Sequence, residues 1–436
     1  MAYRFRGGVH PPESKLTADA PIVDFPIPQQ VVIPVQQHIG APAKTVVAVG
    51  DVVRKGQLLA EPGGFVSAAV HASIGGTVKK IAPHPQALGI AAESITIESD
   101  GNDDWAEGCN VERDVASMDA KAIRDAICDG GLVGMGGATF PTHVKLSPPD
   151  NKPIDTFIVN GVECEPFLTA DDRLMFELPG KVLDGAEVLR KALGCQRTII
   201  GIEENKPDAI AAMTAAAAER DDMTVLPLHV RYPQGAEKQL ITAALGREVP
   251  SGGLPMDVGV VVQNVGTCYA ADEAVRFNRP LIERIVTVTG ECARTRGNFR
   301  VRVGTLLRQI IDHVGVEDDM NQLIIGGPMM GLAQPSPEVP FTKGTSGILL
   351  TRECPEAPTL GCIRCGRCVE ACPIGLTPSR LSTLLESHMV EEADAWNLND
   401  CIECGCCTYV CPSKRPIVQQ VKYGKAELRK LKAKQQ

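Results

Sequence analysis

This chain of 436 residues is poor in aromatic side chains, at 4%, and has no long apolar run. Its most hydrophobic stretch, Val258 to Val262, is the length of a strand. A membrane-spanning helix needs about 18 or more apolar residues, so no segment is expected to cross a bilayer. The opening MAYRFRGGVHPPESK lacks the apolar core of a secretory signal. Positive charge is scarce in the body of the chain. The net charge is −9, yet Lys414 to Gln436 holds eight basic residues against one acid, which leaves −16 for everything before it. An acidic body excludes nucleic acid as the expected partner, because nucleic-acid binding rests on neutralising phosphates. The basic tail reads as a solvated helix or as a contact for an anionic surface. Also missing is the G-x-G-x-x-G fingerprint of a standard dinucleotide fold.

What the sequence has instead is sixteen cysteines. Eight of them form two copies of C-x2-C-x2-C-x3-C-P: Cys362, Cys365, Cys368 and Cys372 before Pro373, then Cys401, Cys404, Cys407 and Cys411 before Pro412. Three cysteines at x2 spacing let one short loop wrap a cluster with three thiolates. In two-cluster ferredoxins the fourth leaves on a helix and ligates the other cluster. The expected sets are therefore Cys362, Cys365, Cys368 and Cys411 for one [4Fe–4S] cluster, and Cys401, Cys404, Cys407 and Cys372 for the second. Zinc is the competing chemistry for soft thiolates, but zinc sites pair two C-x2-C knuckles and need no x3-C-P ending. Cys406 interrupts the second motif as a bystander or as a competitor of Cys407. Clusters and scattered free thiols such as Cys109, Cys164 and Cys292 fit a reducing compartment.

Length implies three or more domains. Residues 1–110 read as an extended, proline-rich segment followed by short β-rich runs: VVIPV, KTVVAV, GQLLAEP, GTVKKIA and ESITIES. The run VAVGDVVRKGQLLAEP with ASIGGTVKKI resembles the barrel-sandwich hybrid fold of biotinyl and lipoyl carriers. Those carriers have a lysine at a hairpin tip. Here the tip falls at Gly63 to Val66, with Phe65 near the lysine's place, so a docking or structural role is expected. Residues 111–280 alternate strands and helices, which implies an α/β unit with a parallel sheet and a site at the strand C-terminal ends. Asp119 is placed to cap a helix over 118–128. Gly134, Gly136 and Gly137 then expose backbone N–H groups, as a phosphate site, a flat-ring site or a plain turn would. Residues 281–350 suggest strands around one amphipathic helix, Thr305 to His313, with Met329 and Met330 in the core. Residues 351–415 hold the cysteine motifs. Between them SRLSTLLESHMVEEADAW reads as helical, with Leu381, Leu384, Leu385 and Met389 inward. Residues 416–436 form the basic tail, with Val421, Leu428 and Leu431 on one side.

Four motifs in order carry a resemblance. GMGGATFPTHVK, NGVECEP, YPQGAEKQL and QNVGT are similar to the glycine loop, the N-A-D-E-S-E-P loop, the Y-x-x-G-E-E-T loop and the N-N-V-E-T loop of the NADH-binding flavoprotein subunit of respiratory complex I. With FRGGVHPPE at the start and the two-cluster module at the end, the chain resembles the family of C subunits of Rnf electron-transport complexes. The resemblance implies bound FMN, NAD(H) and two [4Fe–4S] clusters. It implies an α/β multidomain chain: barrel-sandwich hybrid, Rossmann-like flavin and NADH domain, β-grasp (SLBB) domain and α-helical ferredoxin domain. Carried over motif by motif, Gly134, Gly136, Gly137 and Lys145 approach flavin and dinucleotide phosphates. Asn160, Glu163 and Glu165 lie by the isoalloxazine and nicotinamide. Gly235 and Glu237 belong to the second acidic loop, and Asn264 and Thr267 to the loop near the flavin phosphate. Ala236, Gln263 and Gly266 depart from the family motifs.

The implied function is a peripheral redox subunit on the cytoplasmic face of the cell membrane. It would exchange hydride between NADH and FMN and pass single electrons through the clusters to membrane redox subunits and a ferredoxin-interacting subunit. Two rivals share parts of this layout. One is a flavin and iron–sulfur cobalamin reductase. The other is a non-catalytic adaptor with a decayed NADH pocket.

Overall fold

The computed structural model describes residues 3–87, 89–352 and 358–435. The first β-rich stretch folds into two small antiparallel sheets. One orders Gln30–Pro34, Ala91–Ser99, Gly76–Pro85 and Val52–Val53; the other orders Lys44–Thr45, Leu58–Glu61 and Val70–His71. Val31, Ile33, Leu59, Val70, Ile95 and Ile97 come from both sheets into one buried core. Phe65 stands at a hairpin tip, 69% exposed, and its carbonyl meets His143 Nε2 at 3.0 Å. The tip therefore docks beside the glycine-rich loop.

The next unit is a four-stranded, all-parallel sheet. Its spatial order is Met223–Leu228, Arg197–Glu203, Thr156–Gly161 and Val260–Asn264. These strands are apolar on both faces, which a parallel sheet covered by helices requires. Alternate residues enter different cores: Phe157, Val159 and Ile200 on one face, Ile158, Ile199 and Val262 on the other. The helix Ala120–Asp129 starts at Asp119, whose carboxylate accepts from Ala122 N. The helices Pro179–Leu193 and Val265–Phe277 touch backbone to backbone. A Cβ on Gly185 would lie 1.7 Å from the Cys268 carbonyl oxygen, so only glycine allows this approach. The first strand has the second on one side and the fourth on the other. The chain reverses direction across the sheet there, and open α/β sheets place a ligand crevice at such a point, here at the strand ends marked by Asn160 and Asn264.

A six-stranded mixed sheet follows, ordered Ile22–Asp24, Gly297–Arg302, Glu283–Thr289, Gly347–Thr351, Gln322–Ile325 and Leu332–Gln334. The helix Leu307–Val314 packs Leu307, Ile310 and Ile311 against Val286, Phe299 and Ile348. The edge strand Ile22–Asp24 comes from the proline-rich start, which lies across the other units. Tyr3 N donates to Ala243 O, Gly8 N to Ala371 O and Val9 N to Tyr232 O. Met330, expected in the core, is 45% exposed, because the loop that carries it is tied down by its backbone and not by its side chain.

The C-terminal module is helical around its cysteines. The stretch 379–396, expected to be helical, is divided between two helices, Pro378–Glu386 and Val390–Ala395. His388 takes a left-handed backbone (φ 57°) and turns the chain, which leaves Met389 40% exposed while Leu381, Leu384 and Leu385 are buried. The basic tail is the helix Ile417–Gln435. Its first half belongs to the module: Val421 and Leu428 share a core with Leu381, Leu385 and Leu398. Leu431 lies further along the helix and is 36% exposed. No described helix is long and apolar enough to cross a membrane.

Candidate functional site

The crevice at the strand ends gathers the loops singled out from the sequence. In the glycine loop, Gly134 N closes a turn onto Phe140 O, and Met135 N donates to Thr267 Oγ1 at 3.0 Å. Gly136 packs against Asn264. Gly137 has φ 127° and nothing within 4 Å of where a Cβ would point, so its backbone is open to a ligand. Asn264 ends the fourth strand and caps the following helix through Gly266 N, while its amide donates to Asp171 Oδ2 at 2.6 Å. Lys145 Nζ reaches Glu237 Oε1 at 2.6 Å and Val262 O at 2.9 Å, joining the glycine loop to the second acidic loop. Asn160 Nδ2 donates to Gly235 O at 2.8 Å. Gln263 and Gln234 each bury an amide Nε2 that finds no protein partner.

Glu163 and Glu165 have structural tasks. Glu163, in a left-handed backbone (φ 46°), accepts from Asp171 N and Asp172 N and caps the helix Ala170–Glu177. Glu165 accepts from Met329 N at 3.1 Å and Met330 N at 2.9 Å, pinning this loop to the mixed-sheet unit. Burial pushes the Glu165 carboxyl up to about 7, with the two N–H groups opposing. Asp171 is also raised, first by burial and then by the nearby Glu163. The sequence pattern did not reveal Lys15. Its ammonium, buried and with its pKa lowered by desolvation, donates to the carbonyls of Glu163, Glu165 and Leu168. Nothing in the proline-rich start marks it. Tyr232 was visible only as the first residue of the YPQG motif.

The cysteines gather around two cavities. Cys372, Cys401, Cys404 and Cys407 line one, together with Cys406. Cys362, Cys365, Cys368 and Cys411 line the other. The short helices Arg367–Glu370 and Cys406–Tyr409 carry the last cysteine of each motif across to the other motif's cavity. No three His, Cys, Asp or Glu side chains among the described residues converge to hold a single ion. A zinc ion would need its sulfurs about 2.3 Å from one centre, so sulfurs spread around a cavity suit a polynuclear cluster. Burial raises the thiol of Cys401 to about 11 and that of Cys407 to about 12. A bound cation would reverse this by deprotonating them.

The first of these cavities is bonded to the crevice loops. Tyr232 Oη donates to Cys404 O at 2.7 Å, and Gly235 N of the same loop lies 3.3 Å from Cys164 Sγ. Gly405 sits against the Met329 carbonyl, beside the loop held by Glu165. A separate cavity of about 560 Å³ adjoins Met135, Asp171 and Gly266 and is lined by Trp105, Tyr269 and several arginines. Those arginines are already engaged. Arg300 meets Asp24 and Glu283, Arg302 meets Asp103 and Glu283, and Arg284 donates to the carbonyls of Met135 and Lys343.

Family models match this chain in three places. They are an RnfC barrel sandwich hybrid domain over residues 3–102, a Nuo51 FMN-binding domain over 127–273 and a 4Fe-4S dicluster domain over 361–415. The chain is 49% identical over 434 residues to the C subunit of the proton-translocating ferredoxin:NAD(+) oxidoreductase complex of Clostridium ljungdahlii, covering 98% of this chain and 95% of that one. It is 44% identical over 428 residues to the C subunit of the Na(+)-translocating ferredoxin:NAD(+) oxidoreductase complex of Acetobacterium woodii, covering 97% of each. Against the C subunit of the ion-translocating oxidoreductase complex of Rhodobacter capsulatus the figure is 42% over 440 residues, covering 98% and 84%. Among solved structures, an NAD+-reducing [NiFe]-hydrogenase in its air-oxidized state aligns with a TM-score of 0.51 at 21% identity, over 72% of this chain and 64% of that one. That last likeness is one of fold alone.

Proposed function

Because this chain belongs to the family of C subunits of ion-translocating ferredoxin:NAD(+) oxidoreductase complexes, we propose that it is the peripheral subunit that links NAD(H) to the rest of such a complex. Its cofactors are FMN and two [4Fe–4S] clusters. When bound, FMN exchanges a hydride with NADH as a two-electron step, and iron–sulfur clusters carry one electron at a time. The residues of this chain supply position. The open backbone of Gly137, with Asn264 and Thr267 holding Gly266 and Met135 in place, supports a cofactor seat at the strand ends. Lys145 offers the crevice a cation for a phosphate, but Glu237 already holds it, so ligand binding must compete with that ion pair. Hydride transfer itself needs no side-chain acid or base, which fits loops whose carboxylates are occupied in holding backbone.

We read residues 111–280 as a Rossmann-like FMN and NADH domain and residues 281–350 as the β-grasp unit. Residues 1–110 are the barrel-sandwich domain, and residues 351–415 with the adjoining tail are the ferredoxin module. The cavity of Cys372, Cys401, Cys404 and Cys407 is the nearer to the crevice and the cavity of Cys362, Cys365, Cys368 and Cys411 the farther. The order of electron relay is therefore crevice, second motif, first motif. One observation carries this order: the Tyr232 hydroxyl, from a crevice loop, is bonded to the Cys404 carbonyl. With no described helix able to span a bilayer, attachment to the cytoplasmic face of the cell membrane would be through partner subunits.

The test is anaerobic reconstitution with FMN, iron and sulfide, followed by NADH. Bleaching of the flavin band followed by cluster reduction is the expected result. A flavin that binds and stays oxidised would favour the adaptor role, in which the Ala236, Gln263 and Gly266 departures have closed the NADH pocket.

A further inference from the structure

The two cysteine motifs differ inside their binding loops. Between its second and third cysteines the first motif reads Gly366–Arg367, and the second reads Gly405–Cys406. Arg367 is exposed, as are Cys362 and Cys365 of the same motif. Cys406 is 0% exposed, and Cys372, Cys404 and Cys407 are buried with it. It packs with Val9, Tyr232, Ala371 and Cys404 in one apolar cluster and lines the same cavity as the four expected ligands. Cys407 packs instead with Cys368 and Ile417, so these adjacent cysteines have different neighbours. A thiol buried in apolar surroundings keeps its proton and has one hydrogen bond to give. Among the described residues, two acceptors stand near the Cys406 thiol. The Tyr232 carbonyl is at 4.0 Å, a long contact, and already accepts from Val9 N at 2.8 Å. The other acceptor is the sulfur of Cys404, which also takes a hydrogen bond from the Cys406 backbone N–H.

We propose that Cys406 is neither a bystander nor a ligand but a positioning residue, whose thiol donates to the Cys404 sulfur and raises the reduction potential of the cluster that Cys404 binds. The proposal rests on the reading that this cavity holds a [4Fe–4S] cluster. One-electron reduction makes such a cluster one unit more negative, and its ligand sulfurs share the added charge. An S–H held against one of them stabilises the reduced form more than the oxidised form, because hydrogen bonds strengthen as the acceptor gains negative charge. Only an electron is exchanged. The proton stays on Cys406 in both states, and no bond to iron is made or broken. The first motif carries an exposed arginine where this thiol stands, so the effect belongs to one cluster only. That cluster is the one nearer the crevice, where a higher potential favours entry of the electron.

The experiment uses the full chain with both clusters assembled. Each protein is titrated with dithionite in the presence of redox mediators and followed by EPR, so the outcome does not depend on NADH reaching the flavin. Two variants remove the donor, Cys406→Ala with less bulk and Cys406→Val with more. Both should retain two four-iron clusters. In both, one cluster should titrate at a lower potential while the other stays as in the parent. The expected size is about threefold to tenfold in the reduced-to-oxidised ratio at fixed potential, tenfold being about 59 mV for a one-electron couple. Cys406→Ser keeps a donor and should fall between the parent and Cys406→Ala. Pulsed EPR in deuterated buffer gives a second reading. The parent should show one more exchangeable deuteron coupled to the reduced cluster than Cys406→Ala shows. Unchanged potentials in both Cys406→Ala and Cys406→Val overturn the proposal, as do shifts of opposite sign, which would follow bulk and not the donor. Loss of a cluster or its conversion to a three-iron form in Cys406→Ala also overturns it, since Cys406 would then be a ligand. Absence of cluster EPR signals from the reconstituted parent would sink the functional reading itself, whereas a flavin that ignores NADH leaves this test standing.

Discussion

Glu165 shows how a side chain in a loop singled out for ligand contact can also hold the scaffold. The acidic NGVECEP loop resembles a nicotinamide-facing loop, yet its second glutamate holds the backbone of Met329 and Met330. The consequence is a pH dependence. Burial raises the carboxyl from an ordinary 4.5 to about 7. Between those values the folded chain keeps a proton that the unfolded chain has lost, so this group's contribution falls as pH rises from 4.5 to 7 and stays low above that. Glu165→Gln carries no charge but keeps an oxygen for only one of the two N–H groups, since each bonds a different carboxylate oxygen. It should be the less stable protein below 4.5, and should gain on the parent by up to about 3 kcal/mol as pH rises past 7. Urea midpoints of the two proteins across that range decide it. Parallel curves would mean the carboxylate is better solvated than its burial implies.

Among elements, the short helices after each cysteine triplet do the most. Each starts at a left-handed glycine, Gly366 or Gly405, and runs only one turn before its last cysteine leaves for the other cavity. Cys372→Ala should therefore remove or distort the cluster bound by Cys401, Cys404 and Cys407. The cluster bound by Cys362, Cys365 and Cys368 should keep its EPR signature. Loss of the latter signal with the former intact would show that each motif ligates its own cluster. The break at His388 is an element-scale event of the same kind. Leucine spacing across 381–385 is helical, and Met389 continues it, but a single left-handed residue ends the helix before the pattern does.

For the whole molecule, both ends of the chain matter more than their composition suggests. The proline-rich start bonds to the α/β unit, the cysteine module and the mixed sheet in turn. The tail helix completes the cysteine module. Ile417, Val421 and Leu428 are 1%, 1% and 4% exposed. Burying an aliphatic side chain of this size is worth about 2–5 kcal/mol when it is deleted to alanine. Truncation after Pro416 removes all three and should leave a module that no longer retains its clusters. Visible absorbance of the reconstituted protein, compared with a truncation after Arg429 that keeps all three, reads this directly. Retention of both clusters by the shorter chain would make the tail an appendage after all.

Spacing and periodicity are local properties, and they were legible. The two C-x2-C-x2-C-x3-C-P motifs, the strand runs of the barrel, the capped helix at Asp119 and the apolar strands of the parallel sheet follow from neighbouring residues and elementary chain geometry. The loops that converge at the crevice could be named because their motifs travel together along the chain. What could not be read was partnership between distant positions. Lys15 and Leu168 meet across 153 residues, Glu165 and Met330 across 165, and Tyr232 and Cys404 across 172. No local pattern encodes such pairs, because they depend on how separately folded units stack. Sequence alone determined that this chain carries two ferredoxin-type clusters and a flavin-type loop set. Only the tertiary structure decided which cysteine cavity faces the loops, which faces solvent, and which acids hold the scaffold, since burial and long-range contact exist only once the units have packed.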